Sequence, residues 1–363
     1  MKSKNKSLNA RLRFLKEGGR MLFFRNDYGQ GCIPEILELL NTTNLESKPG
    51  YGLDSYCEQA KILIQSQMPD TPVDIHFISG GTLTNLTIVK SILRPYEAVI
   101  ACDTGHIATH ETGSIEATGH KVIEVNNCVG KITPAAIEKA FEDHMLTYEH
   151  MVYPKMVYIS NPTEFGTVYT REELEDLRKI CDKLDLYLMM DGARLASALT
   201  SGVDYTLNDL AKWMDVFYIG GTKNGALMGE AIVFSNLDLS KNFRFVMKQD
   251  GAMMSKGWLL GLQFIGLFQD DAFFRVARHA NEMAQRIQDY AHELGYPFLM
   301  KSTTNQIFLN VTLEQYEYLS KYIDFEIWSK QDDFLSVRFV TSWHTSKEDV
   351  DAVCALLHAA KEL

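Results

Sequence analysis

Leu186-Tyr187-Leu188-Met189-Met190-Asp191-Gly192-Ala193-Arg194 is the stretch that decides the fold. Its apolar residues do not alternate with polar ones, which marks a strand covered on both faces, the signature of a parallel sheet under helices. A carboxylate ends the strand, a glycine turns the chain, and an arginine follows. Outward from this segment the same texture repeats. Short β-like runs are predicted at 74–79, 98–103, 121–125, 156–160, 186–191, 216–219 and 231–234, with helical periods at 84–93, 134–145 and 171–183. Strands alternating with helices predict an α/β fold with a mostly parallel central sheet covered by helices. After about residue 236 long helical stretches (256–268, 271–294) lead into a βαββα-like tail ending in a helix from Ser346. That tail reads as a smaller α+β C-terminal domain. The division expected is an N-terminal segment over 1–40 contributing to the active site, a large domain over 41–245 and a small domain over 246–363.

An open parallel sheet presents the carboxyl ends of its strands to one crevice, so the residues just beyond each strand are the ones to inspect. Asp191 is costly to desolvate unless a cation meets it. A protonated pyridine nitrogen would serve, with Ala193 small enough to lie against a ring and Arg194 offering a bidentate grip on a carboxylate. An internal Asp191–Arg194 ion pair is the plainer alternative. Gly220-Gly221-Thr222-Lys223-Asn224-Gly225 follows the next strand and brings a lysine to the same edge, 32 residues after Asp191. A partly buried lysine loses basicity and becomes an imine-forming nucleophile; taken alone, a lysine in a glycine-rich loop is most often a solvated turn residue. Ser79-Gly80-Gly81-Thr82 opens a helix, where free N–H groups and the helix dipole favour a phosphate, or it is simply a strand-to-helix turn. His106, beyond Asp103-Thr104-Gly105, is placed to stack on a heteroaromatic ring or to move a proton. With His110 it could instead hold a metal, but Ile107 stands where a metalloprotease has glutamate, and no third ligand is evident.

Composition narrows the partners. Thirty-six basic against 47 acidic residues leave a net charge of −11, a field that repels nucleic acid and anionic lipid. Hydrophobic residues at 46% and charged residues at 23% describe an ordinary globular protein. The six scattered cysteines form no paired motif and suit a reducing cytoplasm. The longest apolar stretch, 258–268, is far short of a membrane span, and no signal-peptide core is evident.

Taken together these residues resemble the threonine aldolase and β-eliminating lyase group of fold-type I pyridoxal-phosphate enzymes. The resemblance rests on Asn26-Asp27, the 49–54 segment Pro-Gly-Tyr-Gly-Leu-Asp, Gly81-Thr82, 103–107, the Asp-Gly-Ala-Arg motif at 191–194, Lys223 and 337–341. It implies pyridoxal 5′-phosphate as cofactor, with Lys223 carrying it, Asp191 on the pyridine nitrogen, His106 stacked on the ring, and Gly81 and Thr82 on the phosphate. Asn26, Arg194 and Arg338 would surround the substrate carboxylate; for Arg338 the plainer alternative is a surface ion pair on a strand. Lys256 would reach the phosphate of a neighbouring subunit in a homodimer or homotetramer whose active site lies at the interface. The implied activity is an aldehyde-lyase that splits β-hydroxy-α-amino acids of the threonine type into glycine and an aldehyde. β-Elimination or transamination on the same cofactor are the alternatives, as is, in another class, a binding protein that keeps the fold. Three positions depart from the pattern: Thr222 replaces the serine before the lysine, Asn26 replaces a serine, and Thr163 stands where a histidine near the substrate hydroxyl is usual, with Glu164 beside it. The hydroxyl base is therefore expected among His106, Glu164 and an ordered water.

Overall fold

A computed structural model describes residues 20–363; positions 1–19 of the segment expected over 1–40 lie outside the described residues. The strands in chain order are β1 (Leu22–Phe23), β2 (Asp74–Ile78), β3 (Glu97–Cys102), β4 (Val122–Val125), β5 (Tyr153–Ser160), β6 (Tyr187–Asp191), β7 (Val216–Gly220), β8 (Glu230–Phe234), β9 (Phe298–Met300), β10 (Gln306–Val311), β11 (Ile323–Asp324), β12 (Glu326–Lys330) and β13 (Leu335–Val340). Seven of them form the central sheet in the order β2-β8-β7-β6-β5-β3-β4. Pairings from β4 through β7 are parallel. β8 runs antiparallel to both its neighbours.

The apolar runs of β5, β6 and β7 divide by alternation between two separate cores. Val157, Ile159, Leu188, Met190, Phe217 and Ile219 enter one, and Met156, Tyr158, Met189, Val216 and Tyr218 the other. This is why the sequence shows no alternation: both faces need apolar residues, each contributing about 1.5–3 kcal/mol on burial. The crossover from β5 to β6 is the Arg171–Leu184 helix, opened by a Thr170/Glu173 capping box and closed by Asp185 in the left-handed conformation. Its buried residues Leu174, Leu177, Ile180 and Cys181 recur at helical spacing.

Element boundaries differ from the sequence reading by one to three residues for most elements. β5 begins at Tyr153, three residues before expected, because Pro154 interrupts the apolar run while still pairing with Ala98 beside a register shift. The first helix of the large sheet is Gly81–Ile92, so Gly81 and Thr82 belong to its first turn. The stretch expected as a helix from Lys256 begins at Trp258, and that helix packs into the core of the large sheet. The tail carries a four-stranded antiparallel sheet, β12-β13-β10-β9, closed by the Lys347–Lys361 helix. One long helix, Ala272–Glu293, spans both cores: Phe273 and Val276 pack under the large sheet, Met283 and Ile287 under the small one. β1 pairs with β11, and Phe24 accepts from the Val340 N–H, so the chain just before Asp27 is anchored on the small sheet. No helix among the described residues is long and apolar enough to cross a membrane.

At the carboxyl edge the turns after β6 and β7 interlock. The Gly220 N–H donates to the Gly192 carbonyl at 3.0 Å. A Cβ on Gly192 would stand 1.9 Å from the Tyr218 carbonyl oxygen, and one on Gly220 2.3 Å from that of Ala193. Both obstacles are backbone and cannot rotate away. Gly192→Ala should therefore lower stability by about 3 kcal/mol or more. Gly80→Ala, where a Cβ meets nothing within 4 Å, should melt close to the parent protein. Thermal melting of the two variants side by side checks this.

Candidate active site

The interlocked turns bring Asp191, Ala193, Arg194 and Lys223 to one cavity of about 160 Å³. His106, Glu164 and Arg338 line the same cavity, together with Tyr28, His110, Ser160, Glu326 and Trp328. Seven of the eleven residues assigned from the sequence to catalysis, cofactor or substrate thus meet there. Four do not line it. Gly81 lies just behind, where its Cβ would be 3.3 Å from the Tyr218 hydroxyl. Thr82 is exposed beside it, on a helix N-terminus whose first turn has no side-chain cap. Asn26 folds back to accept from the Tyr28 N–H at 3.1 Å, so Asp27 and Tyr28 reach the site in its place. Lys256 is exposed in the turn before the Trp258–Phe268 helix, apart from the cavity.

Asp191 is buried, 5% exposed, yet charged. Its oxygens accept from the Tyr158 hydroxyl at 2.6 Å, the Asn85 amide at 3.1 Å and the Ala193 N–H at 3.0 Å. Burial pushes its pKa up, but the His106 charge and the tyrosine hydroxyls outweigh this and hold it below the usual carboxylate range. The opposite holds for Lys223, which desolvation and the Arg194 charge make less basic than an ordinary lysine. Glu230, beneath the lysine turn, accepts from the Thr222 hydroxyl at 2.7 Å and the Gly221 N–H at 3.2 Å. Burial lifts it to about 8.

Arg194 does not pair with Asp191. It grips Asp27 through Nε at 2.7 Å and Nη2 at 3.1 Å, and Asp27 is held from the other side by the Asn305 amide at 2.9 Å. Burial raises the Asp27 pKa, but the Arg194 and Lys223 charges more than reverse it. His106 Nδ1 lies 2.7 Å from Glu111 Oε1, whose carboxylate also accepts from Asn85 at 2.8 Å and Ser114 at 2.6 Å. Asn85 thus ties the histidine's partner to Asp191. His110 stacks on His106, ring centroids 5.5 Å apart, and among the described residues no group of three potential ligands could hold a metal. Glu164 Oε1 accepts from the Ser160 hydroxyl at 2.6 Å and the His106 N–H at 2.9 Å. Its Oε2 is buried without a partner, and desolvation raises its pKa. Arg338 bonds Glu326 and Gln306 with its side chain 14% exposed, so it is not the surface ion pair the sequence also allowed.

Sequence reasoning passed over Asn85, Glu111, Tyr158, Tyr218 and Glu230. Asn85 sits one helical turn after Gly81 and Glu111 five residues after His106; those spacings were the available signal.

Asp27→Asn would leave Arg194 buried without a counter-charge, and should cost about 3–5 kcal/mol at neutral pH. Because the Asp27 pKa is depressed, its contribution is present above the ordinary aspartate value and is lost as pH falls through the lower folded value. The stability gap between parent and variant should therefore hold from neutral pH down to roughly pH 4 and close below it. Denaturant unfolding across pH measures this.

Comparison with known proteins agrees with the geometry. The model of the β-eliminating lyase family matches residues 66–314. The low specificity L-threonine aldolase of Pseudomonas aeruginosa is 32% identical over 334 residues, covering 90% of this chain and 94% of that protein. The structure of a Leishmania major threonine aldolase superposes with a TM-score of 0.91 at 44% identity, over 93% of this chain and 99% of the other. A Thermus thermophilus aspartate aminotransferase, 16% identical with a TM-score of 0.71 over 98% of this chain and 96% of that one, shares the fold. By this match and these relatives, the chain belongs to the β-eliminating lyase family.

Proposed function

We propose that this chain is a pyridoxal-phosphate-dependent aldehyde-lyase that splits β-hydroxy-α-amino acids of the threonine type into glycine and an aldehyde. The observation that carries the reading is one cavity holding a desolvated lysine, a buried charged aspartate, two arginines and a glutamate with an unpartnered oxygen. The threonine aldolases among its relatives support it.

The donor set fits the cofactor. Lys223 would carry it, Asp191 would meet its protonated ring nitrogen, and Ala193 and His106 would flank the ring. Gly81 and Thr82 would offer the phosphate the uncapped N-terminus of their helix. Bound there, pyridoxal phosphate supplies an electron sink for the pair left at Cα when a substrate bond breaks.

The chain's own residues decide which bond that is. Arg338 would hold the α-carboxylate, with Arg194, kept in place by Asp27, lending its charge beside it, and so orient the substrate about Cα and select Cα–Cβ as the bond that breaks. Glu111 fixes the His106 ring through Nδ1, keeping the wall beside the lysine in place. Glu164 Oε2 then takes the β-hydroxyl proton; the carbonyl forms as Cα–Cβ breaks, and a proton returned to Cα completes glycine. Burial raises the Glu164 pKa above that of an ordinary carboxylate, and a carboxylate so raised is the stronger base. The free thiols support a cytoplasmic setting. Exposed Leu37, Leu53, Ile62 and Phe245 support a homodimer or homotetramer in which Lys256 reaches a neighbour's site.

Incubation with threonine should yield glycine and acetaldehyde in equal amounts, and borohydride reduction should label Lys223. A keto acid without glycine from every β-hydroxy substrate tried would overturn the reading. Glu164→Gln should lower kcat by roughly a hundredfold with little change in KM. Since the base works only when deprotonated, the parent kcat should fall as pH drops through a value above 4.5, the ordinary value for glutamate, and that acidic limb should be missing in the variant.

A further inference from the structure

Both cavity arginines already carry a carboxylate from the chain itself, and the two pairs differ in kind. Asp27, on Arg194, has no exposed side-chain surface and is fixed again by Asn305. It cannot leave. Glu326, on Arg338, is 37% exposed and stands directly across the ladder between β12 and β13, where Glu326 and Arg338 are register partners. Rotation about its side-chain bonds carries it to solvent with no backbone change. Arg338 is otherwise held by the side-chain Oε1 of Gln306 at 3.1 Å and by the Trp328 ring, its centroid 4.9 Å from the guanidinium carbon. Its Nε is buried without an acceptor. Desolvation, with the Arg194 charge close by, already makes this guanidinium less basic than usual, so it is short of negative charge rather than saturated.

We propose that Glu326 is an internal stand-in for the substrate's α-carboxylate: it caps Arg338 in the resting site and must swing out when an amino acid binds. The inference rests on the reading of Arg338 as part of the carboxylate clamp. Two carboxylates on one guanidinium repel each other, so each substrate molecule displaces Glu326 before it is held, and that exchange weakens binding. The displaced carboxylate stays at the rim, where it disfavours ligands that bring a second negative charge. Glu326 is thus a specificity-determining residue that sets how tightly amino acids are held, without touching the bond that breaks.

The test is equilibrium binding to the holoenzyme, followed by the change in cofactor absorbance, with glycine and with glycinamide, which lacks the carboxylate. Glu326→Gln keeps the shape and hydrogen-bonding capacity and removes the charge. Glu326→Thr, suited to a strand, serves as a second variant. Both should bind glycine on the order of fivefold more tightly than the parent and should show no such gain for glycinamide. The gain should vanish when Glu326→Gln is combined with Arg338→Ala. Unchanged or weaker glycine binding by both variants, an equal gain for glycinamide, or a gain that survives without Arg338 would each overturn the proposal. Unaltered glycine affinity in Arg338→Ala alone overturns the clamp itself, an outcome distinct from failure of the Glu326 variants over a working clamp.

Discussion

Desolvated charge governs the carboxyl edge of the central sheet. Asp191, Asp27, Arg194, Lys223 and Glu230 all lie where bulk water does not solvate them freely, and a charge so placed must meet its opposite, accept hydrogen bonds or change its protonation. The structure uses all three. Arg194 and Asp27 neutralise each other; Asp191 stays charged because the His106 charge and hydroxyl, amide and backbone donors surround it; Lys223 and Glu230 move toward neutrality instead. A lysine made less basic and an aspartate made more acidic than usual are the two opposed requirements of pyridoxal-phosphate chemistry. They arise from one environment because the partners, not the burial, differ.

That environment depends on the backbone being close. Asp191 and Lys223 arrive on neighbouring parallel strands, and the turns that carry them touch at Gly192 and Gly220, where no side chain fits. The sheet supplies rigidity through its two cores, and the helix Ala272–Glu293 ties the small sheet to it. Arg338 on β13 and Asp27 after β1 therefore approach from the small-sheet side, so the cavity is lined across the join between the two cores.

The same logic separates fixed from exchangeable groups. Glu111 and Asn85 are fully enclosed and hold one arrangement of His106 and Asp191. Glu326 and Glu164 border the cavity, where one group is partly exposed and the other keeps a free oxygen. A rotation or a proton transfer costs little for the two groups at the cavity edge, and neither is open to the enclosed pair.

The sequence alone determined whatever is encoded locally. Apolar runs without alternation marked covered strands, helical spacing marked the crossovers, and the residues after Met190 and Ile219 were marked as site residues because strand ends share an edge in any parallel sheet. Asp191, Ala193, Arg194 and Lys223 were legible for that reason, whereas Glu164 was marked only by the family resemblance around 160–164. Strand order, the turn of Asn26 away from the cavity and every long-range pairing were decided only in three dimensions. Asp27 is 167 residues from Arg194, and Asn85 is 106 from Asp191; no periodicity links such positions. A side chain's period reports the face of its own element, whereas the partner of a buried charge is chosen by which elements the packing brings alongside it, and that is a property of the folded chain as a whole.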